Sequence, residues 1–574
     1  MRRFRFLPFL AAAVALLLCP LHLAAGEPEN TKPTGPPWWR TEAVYQIYVR
    51  SFFDSNGDGI GDLNGVTAKL DYLQSLGVGA IWLSPVYPSP QIDTGYDIAD
   101  FENIDPEYGT LQDFDRLVRE ADKRHIRVLM DMVLTITSDK HPWFVESSSS
   151  RTNPKSDWYI WADGKNGGPP NNWASFDSTT KGAWQYVPAR GQFYYHIYDR
   201  RQPALNWRSP SLRKSMFDAC RFWLDRGVAG FRLDSAAFLY VDAQLRDNKY
   251  SQPPTFDEIT FGEHTWNLPE YHATMRDLRK MLDSYPGERV LIGETDTNSI
   301  ETLRTMYGEH NDEIQLPMNF GLFWTGFSAP HLRSAIGDWE KNDVGGWPLL
   351  FFSNHDFPRS YSRLGDGIHN DQIAKVVATL LLTMRGTPIV YNGEELGLAQ
   401  STEAEIKAGM EHSGRLVQPP FDGRDGARTP MQWTPGPQAG FSTGTPWLPV
   451  QTNFHAVNVE TESATQGSLL RFYRDLFKIR RSTPALMTGD YVPLNASDEN
   501  TLTYLRKAQA GDAAVLVVLN MSDKPQTVEV DLAQAGIAGH SLKELLVVSA
   551  DAGRGAIPAH IRLPPFGIYI GEVR

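Results

Sequence analysis

From residue 38 onward, short runs of apolar, β-branched and aromatic residues alternate with amphipathic helical stretches. That rhythm commits a chain to parallel strands joined by crossover helices. Eight runs stand out: Ala43 to Val49, Ala80 to Leu83, Arg127 to Leu134, Gly230 to Leu233, Val290 to Ile292, Ile314 to Met318, Leu349 to Phe352 and Pro388 to Tyr391. Eight is the number of parallel strands that closes into a barrel. Between the runs, Val66, Leu70, Leu73 and Leu76 fall on one helical face, and Leu111, Phe114, Leu117, Val118 and Ala121 on another. Gly77 stands where the first of these helices should stop.

Two stretches break the rhythm. About ninety residues separate the third and fourth runs, far more than a βα unit needs, which predicts a small inserted domain. Twelve aromatic residues lie between Trp158 and Trp207, and aromatic rings serve both to stack on sugars and to fill a small core. After a helix around Leu469 to Ile479, the pattern changes to short alternating runs, Gly489 to Leu494, Thr501 to Leu505, Ala513 to Leu519, Thr527 to Leu532, Ser541 to Val548 and His560 to Val573, which predict a terminal antiparallel β-sandwich. The expected organisation is a barrel over 38–134 and 208–486, an insertion over 135–207 and a β domain over 487–574.

The first 26 residues read as an export signal: Arg2, Arg3 and Arg5 precede an apolar stretch from Leu7 to Leu23, which ends at Ala24-Ala25-Gly26. The apolar run is shorter than a membrane span needs, so the expectation is a periplasmic or secreted protein with no stable membrane insertion after cleavage. Cleavage would leave Cys220 as the one cysteine, which excludes an intramolecular disulfide; its place among Leu212, Met216, Ala219 and Trp223 predicts a buried thiol. The net charge of −13 disfavours nucleic acid and anionic lipid as partners, since both reward a basic surface. Oligomeric state is not legible.

Reactive groups of a parallel barrel belong at the C-terminal ends of its strands. Acids stand there in Gly230-Phe231-Arg232-Leu233-Asp234, in Leu291-Ile292-Gly293-Glu294 and in Phe352-Ser353-Asn354-His355-Asp356. Three carboxylates at one mouth repel one another unless a developing positive charge needs them. Glycoside cleavage through an oxocarbenium-like transition state has that need, and a retaining enzyme uses one carboxylate as nucleophile and one carboxyl as acid/base. On this reading Arg232 keeps Asp234 ionised, repulsion and partial burial raise Glu294 so that it can donate a proton, and Asp356 and His355 orient sugar hydroxyls.

The runs GFRLD, IGE and SNHD, with AVYQIYVRSFFDSNGDGIGDLNGV, GYDIADF and ARTPMQW, resemble the α-amylase family of glycoside hydrolases (family thirteen), in its α-glucosidase and oligo-1,6-glucosidase branch. The resemblance covers nearly everything after Trp38. It implies a (β/α)8 TIM barrel with an inserted domain B after strand 3 and a C-terminal β domain, with Asp234 as nucleophile, Glu294 as acid/base and Asp356 as transition-state stabiliser. It also implies that Tyr96 and Asp97 grip the non-reducing glucose and that Arg428 pairs with Asp97, closing a pocket behind one sugar. Ser235, a small residue after the nucleophile, resembles the α-1,4-selective members, which points to maltose and short oligosaccharides as substrates.

Asp54, Asn56, Asp58 and Asp62, with the Ile60 carbonyl between them, repeat the oxygen spacing of a calcium loop, and Gly59 supplies its turn. Position twelve is Gly65 rather than Glu, so this is not an EF-hand. The resemblance implies one structural Ca²⁺; the alternative is a solvated Asp/Asn/Gly turn.

Two positions depart from the family. Ile136 stands where a sugar-binding His is usual, and Ala204 where Asp is common. Losing one hydrogen bond to a charged or polarised group costs ~1.5 to 3 kcal/mol, roughly ten- to a hundredfold in rate. Beside the exported α-glucosidase, an α-glucosyltransferase such as a trehalose synthase and a catalytically weakened sugar-binding barrel stay open.

Overall fold

The computed structural model describes residues 35–574, apart from 178–181, 296, 298, 342–344, 414–422, 496, 509–512, 538–540, 549–554 and 557–559. The expected export signal lies outside the described residues. The eight runs form β1 (Val44–Ile47), β2 (Ala80–Leu83), β3 (Arg127–Val133), β4 (Gly230–Asp234), β5 (Val290–Gly293), β6 (Leu316–Pro317), β7 (Leu349–Leu350) and β8 (Thr387–Tyr391). All pair in parallel in the order β7-β8-β1-β2-β3-β4-β5-β6. A parallel bridge between Met318 and Leu349 joins the two ends into a ring. β6 is shorter than its apolar run: at its start the Gln315 side chain accepts from the Leu291 N–H at 2.9 Å in place of a backbone partner.

The pleat sorts each strand into two faces. Val44, Ala80, Trp82, Leu129, Val290, Ile292, Leu316, Leu349 and Ile389 meet inside the ring. Their neighbours Tyr45, Ile81, Leu83, Val128, Met130, Phe231, Leu233 and Leu291 pack outward against the helices. The helical faces read from the sequence are the buried ones: Val66, Leu70, Leu73 and Leu76, and then Phe114, Leu117 and Ala121. The helix Leu111–Asp122 starts at a reciprocal cap between Thr110 and Asp113. Leu70–Leu76 ends at Gly77 with φ +104°, where a Cβ would meet the Phe477 side chain at 2.9 Å.

Between β3 and β4 the strands Trp161–Ala162, Trp184–Val187 and Gln192–Tyr195 form a small antiparallel sheet. Its aromatic residues mostly fill a core: Trp158, Tyr159, Trp173, Trp184, Tyr194, Tyr195 and Trp207 are buried, which decides between the two readings in favour of packing for these seven. At the C-terminus, β9 (Asp490–Leu494), β10 (Thr501–Lys507), β11 (Val515–Asn520), β12 (Gln526–Glu529), β13 (Ser541–Val548), β14 (Gly555–Ala556), β15 (His560–Leu563) and β16 (Ile568–Val573) make two antiparallel sheets. Leu505, Leu516 and Val518 of the larger sheet pack on Val528, Ile561 and Leu563 of the smaller. The single run expected over His560 to Val573 is two strands in different sheets, because Pro564 and Pro565 interrupt it and Phe566 turns with φ +54°. Cys220 is buried, and burial pushes its thiol up to about 12. Among the described residues no helix is long and apolar enough to cross a membrane.

Candidate active site

The alternation that sends Phe231 and Leu233 outward turns Arg232 and Asp234 inward, and the same parity turns Gln46, Asp131 and Glu294 inward from β1, β3 and the end of β5. Arg232 and Asp131 are register partners. The Arg232 guanidinium is the hub. Nη1 donates to Asp131 at 3.0 and 3.2 Å and to Asp234 at 2.7 Å, and Nη2 lies 2.6 Å from Glu294 Oε1. Its faces are covered by Trp82 and Tyr96. Arg232 and Asp131 are each 1% exposed, while Asp234 and Glu294 keep 8%, so the hub is sealed and the two acids reach the mouth.

Glu294 is held from its other side by Ser235, whose N–H donates to Oε2 at 3.0 Å and whose hydroxyl lies at 3.4 Å. Beyond β7, Asn354 accepts from the N–H groups of Asp356 and Phe357 at 3.1 Å each, a local turn that presents His355 and Asp356 to the mouth. His355 Nδ1 lies 2.8 Å from Gln46 Nε2, and its Nε2 lies 2.6 Å from the Tyr96 hydroxyl and 3.2 Å from Asp356. With an amide donor at Nδ1 and a carboxylate at Nε2, the proton of the neutral ring belongs on Nε2. Tyr96 in turn donates to Asp131 at 3.0 Å and stacks on His355 with ring centroids 5.4 Å apart.

Electrostatics separate the acids. Burial pushes Asp234 well above the ordinary carboxylate range; Arg232 opposes this, while Glu294 and Asp131 add to it. Arg232, 2.7 Å away, is the group that favours the ionised form of Asp234, in the direction expected of it. Burial raises Asp131 to about 6 against the pull of Arg232. Asp356 moves the opposite way: burial pushes it up, but His355, Arg424 and Arg428 hold it well below the usual range. Burial lowers His355 to about 3, so at neutral pH the two guanidiniums carry that hold.

Arg428 does not meet Asp97 as expected. It donates to Asp356 at 3.0 Å, to Thr94 Oγ1 at 2.8 Å and to the His355 carbonyl at 2.8 Å. Asp97 is fully buried in its own loop, accepting from Ser89 Oγ and the N–H groups of Ile92 and Asp93. The acid that faces the mouth is Asp93, which binds Arg424 at 2.6 Å and Gln202 at 3.0 Å. Arg424 also reaches Asp356 at 3.2 Å. Asp131 lies within its strand and Asp93 on a later loop, so neither stands just beyond a strand end, and Gln46 and Arg424 are not acids. Inward parity with Arg232 marks Asp131, and Arg424 precedes Arg428 by one helical turn of sequence.

The two departures from the family come together: Ile136 and Ala204 are antiparallel bridge partners, exposed 1% and 5%. Next to them the Thr135 hydroxyl is buried without a hydrogen-bond partner.

The calcium-loop residues stay on one turn. Asp54 accepts from the N–H groups of Asn56, Gly57 and Gly59 and from Ser442 Oγ. Asp62 accepts from Ser55 and caps the next helix through the Gly65 N–H. Asn56 and Asp58 bond each other, and Asp58 accepts from the Ile60 N–H. The donor chemistry, all oxygen with three carboxylates, fits a hard divalent cation. In this arrangement no three acidic, His or Cys side chains among the described residues converge as a metal cluster.

Residues 46–489 match the model of the α-amylase catalytic domain, and residues 491–570 that of the maltogenic amylase C-terminal domain. The chain is 37% identical to an oligo-1,6-glucosidase of Parageobacillus thermoglucosidasius, over 94% of this chain and 99% of that one. It is 39% identical to a probable alpha-glucosidase of Rhizobium meliloti, over 93% and 97%. Among solved structures it is similar to the trehalulose synthase MutB from Pseudomonas mesoacidophila, with TM-score 0.83 and 35% identity over 94% of this chain and all of that one.

Proposed function

The chain belongs to the α-amylase family of glycoside hydrolases, in its α-glucosidase and oligo-1,6-glucosidase group, and from that membership we propose an exported, retaining α-glucosidase that removes terminal glucose, α-1,4-linked by preference, from maltose and short oligosaccharides. The observation that carries this reading is one buried guanidinium holding both Asp234 and Glu294. A shared guanidinium is compatible with the ~5 to 5.5 Å separation of a retaining pair, which supports that reading. An Asp234 oxygen attacks the anomeric carbon while the glycosidic C–O bond breaks and Glu294 gives its proton to the leaving oxygen. Water then attacks the glucosyl-enzyme, Glu294 takes the water proton, and Asp234 is released. Asp356, kept ionised by Arg424 and Arg428, faces the positive charge that develops at the anomeric carbon.

The Asp93–Arg424–Asp356 bridge supports a site closed behind one sugar unit, with Asp93 taking the place first given to Asp97, and with Tyr96 and His355 lining it. The small Ser235 supports the α-1,4 preference. The basic, then apolar, then small-residue order of residues 1–26 supports export, and the oxygen set of Asp54, Asn56, Asp58, Ile60 and Asp62 supports one structural Ca²⁺. A second reading, α-glucosyl transfer, is favoured by the likeness to a trehalulose synthase; it shares the glucosyl-enzyme and differs in the acceptor.

The test is glucose release from maltose by the mature protein, with Glu294→Gln as control and the anomer of the first-formed product read by NMR. Free glucose appearing as the α-anomer and vanishing in the control is the expected result. Sugar-to-sugar transfer products without free glucose favour the second reading, and no turnover of either kind overturns both.

A further inference from the structure

Glu294 has a partner chain that the cleavage steps above do not use. Ser235 follows Asp234 in the left-handed region, φ 44° and ψ 41°, a conformation that side-chain-bearing residues seldom adopt. The turn aims the Ser235 N–H at Glu294 Oε2 and the Ala236 N–H at the Glu294 carbonyl, 3.0 and 3.1 Å away. The Ser235 hydroxyl lies 3.4 Å from the same Oε2 and 2.5 Å from the Tyr198 hydroxyl. Tyr198 comes from the stretch between β3 and β4. Its ring is fixed by stacking on Phe176, centroids 5.8 Å apart, and by an edge contact with Phe238.

The two oxygens of Glu294 are thereby made unequal. Oε1 faces a guanidinium nitrogen at 2.6 Å, and a positive charge at that distance opposes protonation. Oε2 meets a neutral amide and a hydroxyl that can reverse its role. When Glu294 is ionised, Tyr198 donates to Ser235 and Ser235 donates to Oε2. When Oε2 carries the proton, the Ser235 hydroxyl can turn to accept it and hold it until the glycosidic oxygen takes its place as acceptor.

We propose that Tyr198, acting through Ser235, is a positioning residue that makes Oε2 the proton-bearing oxygen of the acid/base and fixes its direction. The proposal rests on the acid/base reading of Glu294. In the first step the Oε2 proton passes to the glycosidic oxygen as the C–O bond breaks and the Asp234–carbon bond forms. Loss of the relay weakens proton donation without touching the nucleophile.

The experiment compares maltose, whose leaving sugar needs a proton, with α-glucosyl fluoride, whose fluoride leaves with little proton assistance. It uses Tyr198→Phe, Ser235→Ala and the double variant in the full mature protein, with thermal midpoints confirming that each is folded. We expect Tyr198→Phe to lower kcat/KM on maltose by about tenfold, as for one lost hydrogen bond in the transition state, and to leave the fluoride within about twofold of the parent. The double variant should match Ser235→Ala, because the relay is a single path. An equal loss on both substrates, or no loss on maltose, overturns the positioning role and leaves the glucosidase reading intact. A Glu294→Gln variant that still hydrolyses maltose overturns the acid/base reading, and the proposal with it.

Discussion

Ile136 and Ala204 face each other across an antiparallel bridge between the end of β3 and the last part of the inserted segment. Two departures 68 residues apart in sequence are thus one local exchange, an apolar pair where the resembling family usually has His and Asp. A His placed alone at 136 would meet the Ala204 methyl and leave buried polar atoms unpaired. We expect Ile136→His to lower stability by ~1 to 3 kcal/mol, and Ile136→His with Ala204→Asp to recover at least ~1 kcal/mol of it, measured by urea unfolding in a double-mutant cycle. Additive losses would mean that the two positions are independent.

Removing the hub should be severe. Arg232→Met leaves Asp131, Asp234 and Glu294 facing one another without their shared cation, and a broken buried ion pair costs ~3 to 5 kcal/mol. Denaturant unfolding gives that loss, and turnover should fall below detection. A variant as stable as the parent would show that the carboxyl groups take up protons and manage without the guanidinium.

Glu462 sets a stability slope in the neutral range. Burial raises its carboxyl to about 8, and its oxygen accepts from the Leu470 N–H at 3.1 Å. A carboxyl with a raised folded-state pKa favours the fold fully below its unfolded value, near 4.5, and that contribution is lost as pH climbs through about 8. Gln keeps the acceptor without the charge. We expect Glu462→Gln to be the more stable protein at pH 8 by roughly 2 to 4 kcal/mol, and the difference to shrink towards pH 5, as followed by unfolding at a series of pH values.

Calcium should act through the loop from Asp54 to Asp62. Chelation of a Ca²⁺-loaded sample should lower the thermal midpoint by several degrees, and Asp58→Ala should abolish that response, its own midpoint being the same with and without Ca²⁺. Equal midpoints with and without Ca²⁺ would assign the loop's oxygens to the turn alone.

Much of this molecule was legible because barrel strands and helices carry different periods. Trp82 and Leu83 differ in face by parity alone, and the acids Asp234, Glu294 and Asp356 stand where parallel strands end. Asp131 carries no role in a reading of strand ends because it lies within β3 rather than after it, and only the register with Arg232 makes it part of the site. Asp93 and Asp97 lie four residues apart on one loop, so which of them faces an arginine depends on the path of that loop, which local sequence does not encode. The aromatic insertion was ambiguous for the same reason: a buried Trp173 and a partly exposed Tyr198 look alike until a sheet forms beneath them.

The way the ring closes has a consequence for its dynamics. β3 and β4 share four register pairs, whereas β6 and β7 are two residues each and meet through the Met318–Leu349 bridge. Few backbone hydrogen bonds need to open at that seam, so its amides should exchange with deuterium before those of β3 and β4. His355 and Asp356 follow β7, while Asp234 and Arg232 sit on β4. Breathing at the seam would therefore reach the segment of His355 and Asp356 before it reaches Arg232 and Asp234, and the bonds from Gln46, Tyr96 and Arg428 are what hold that segment against it.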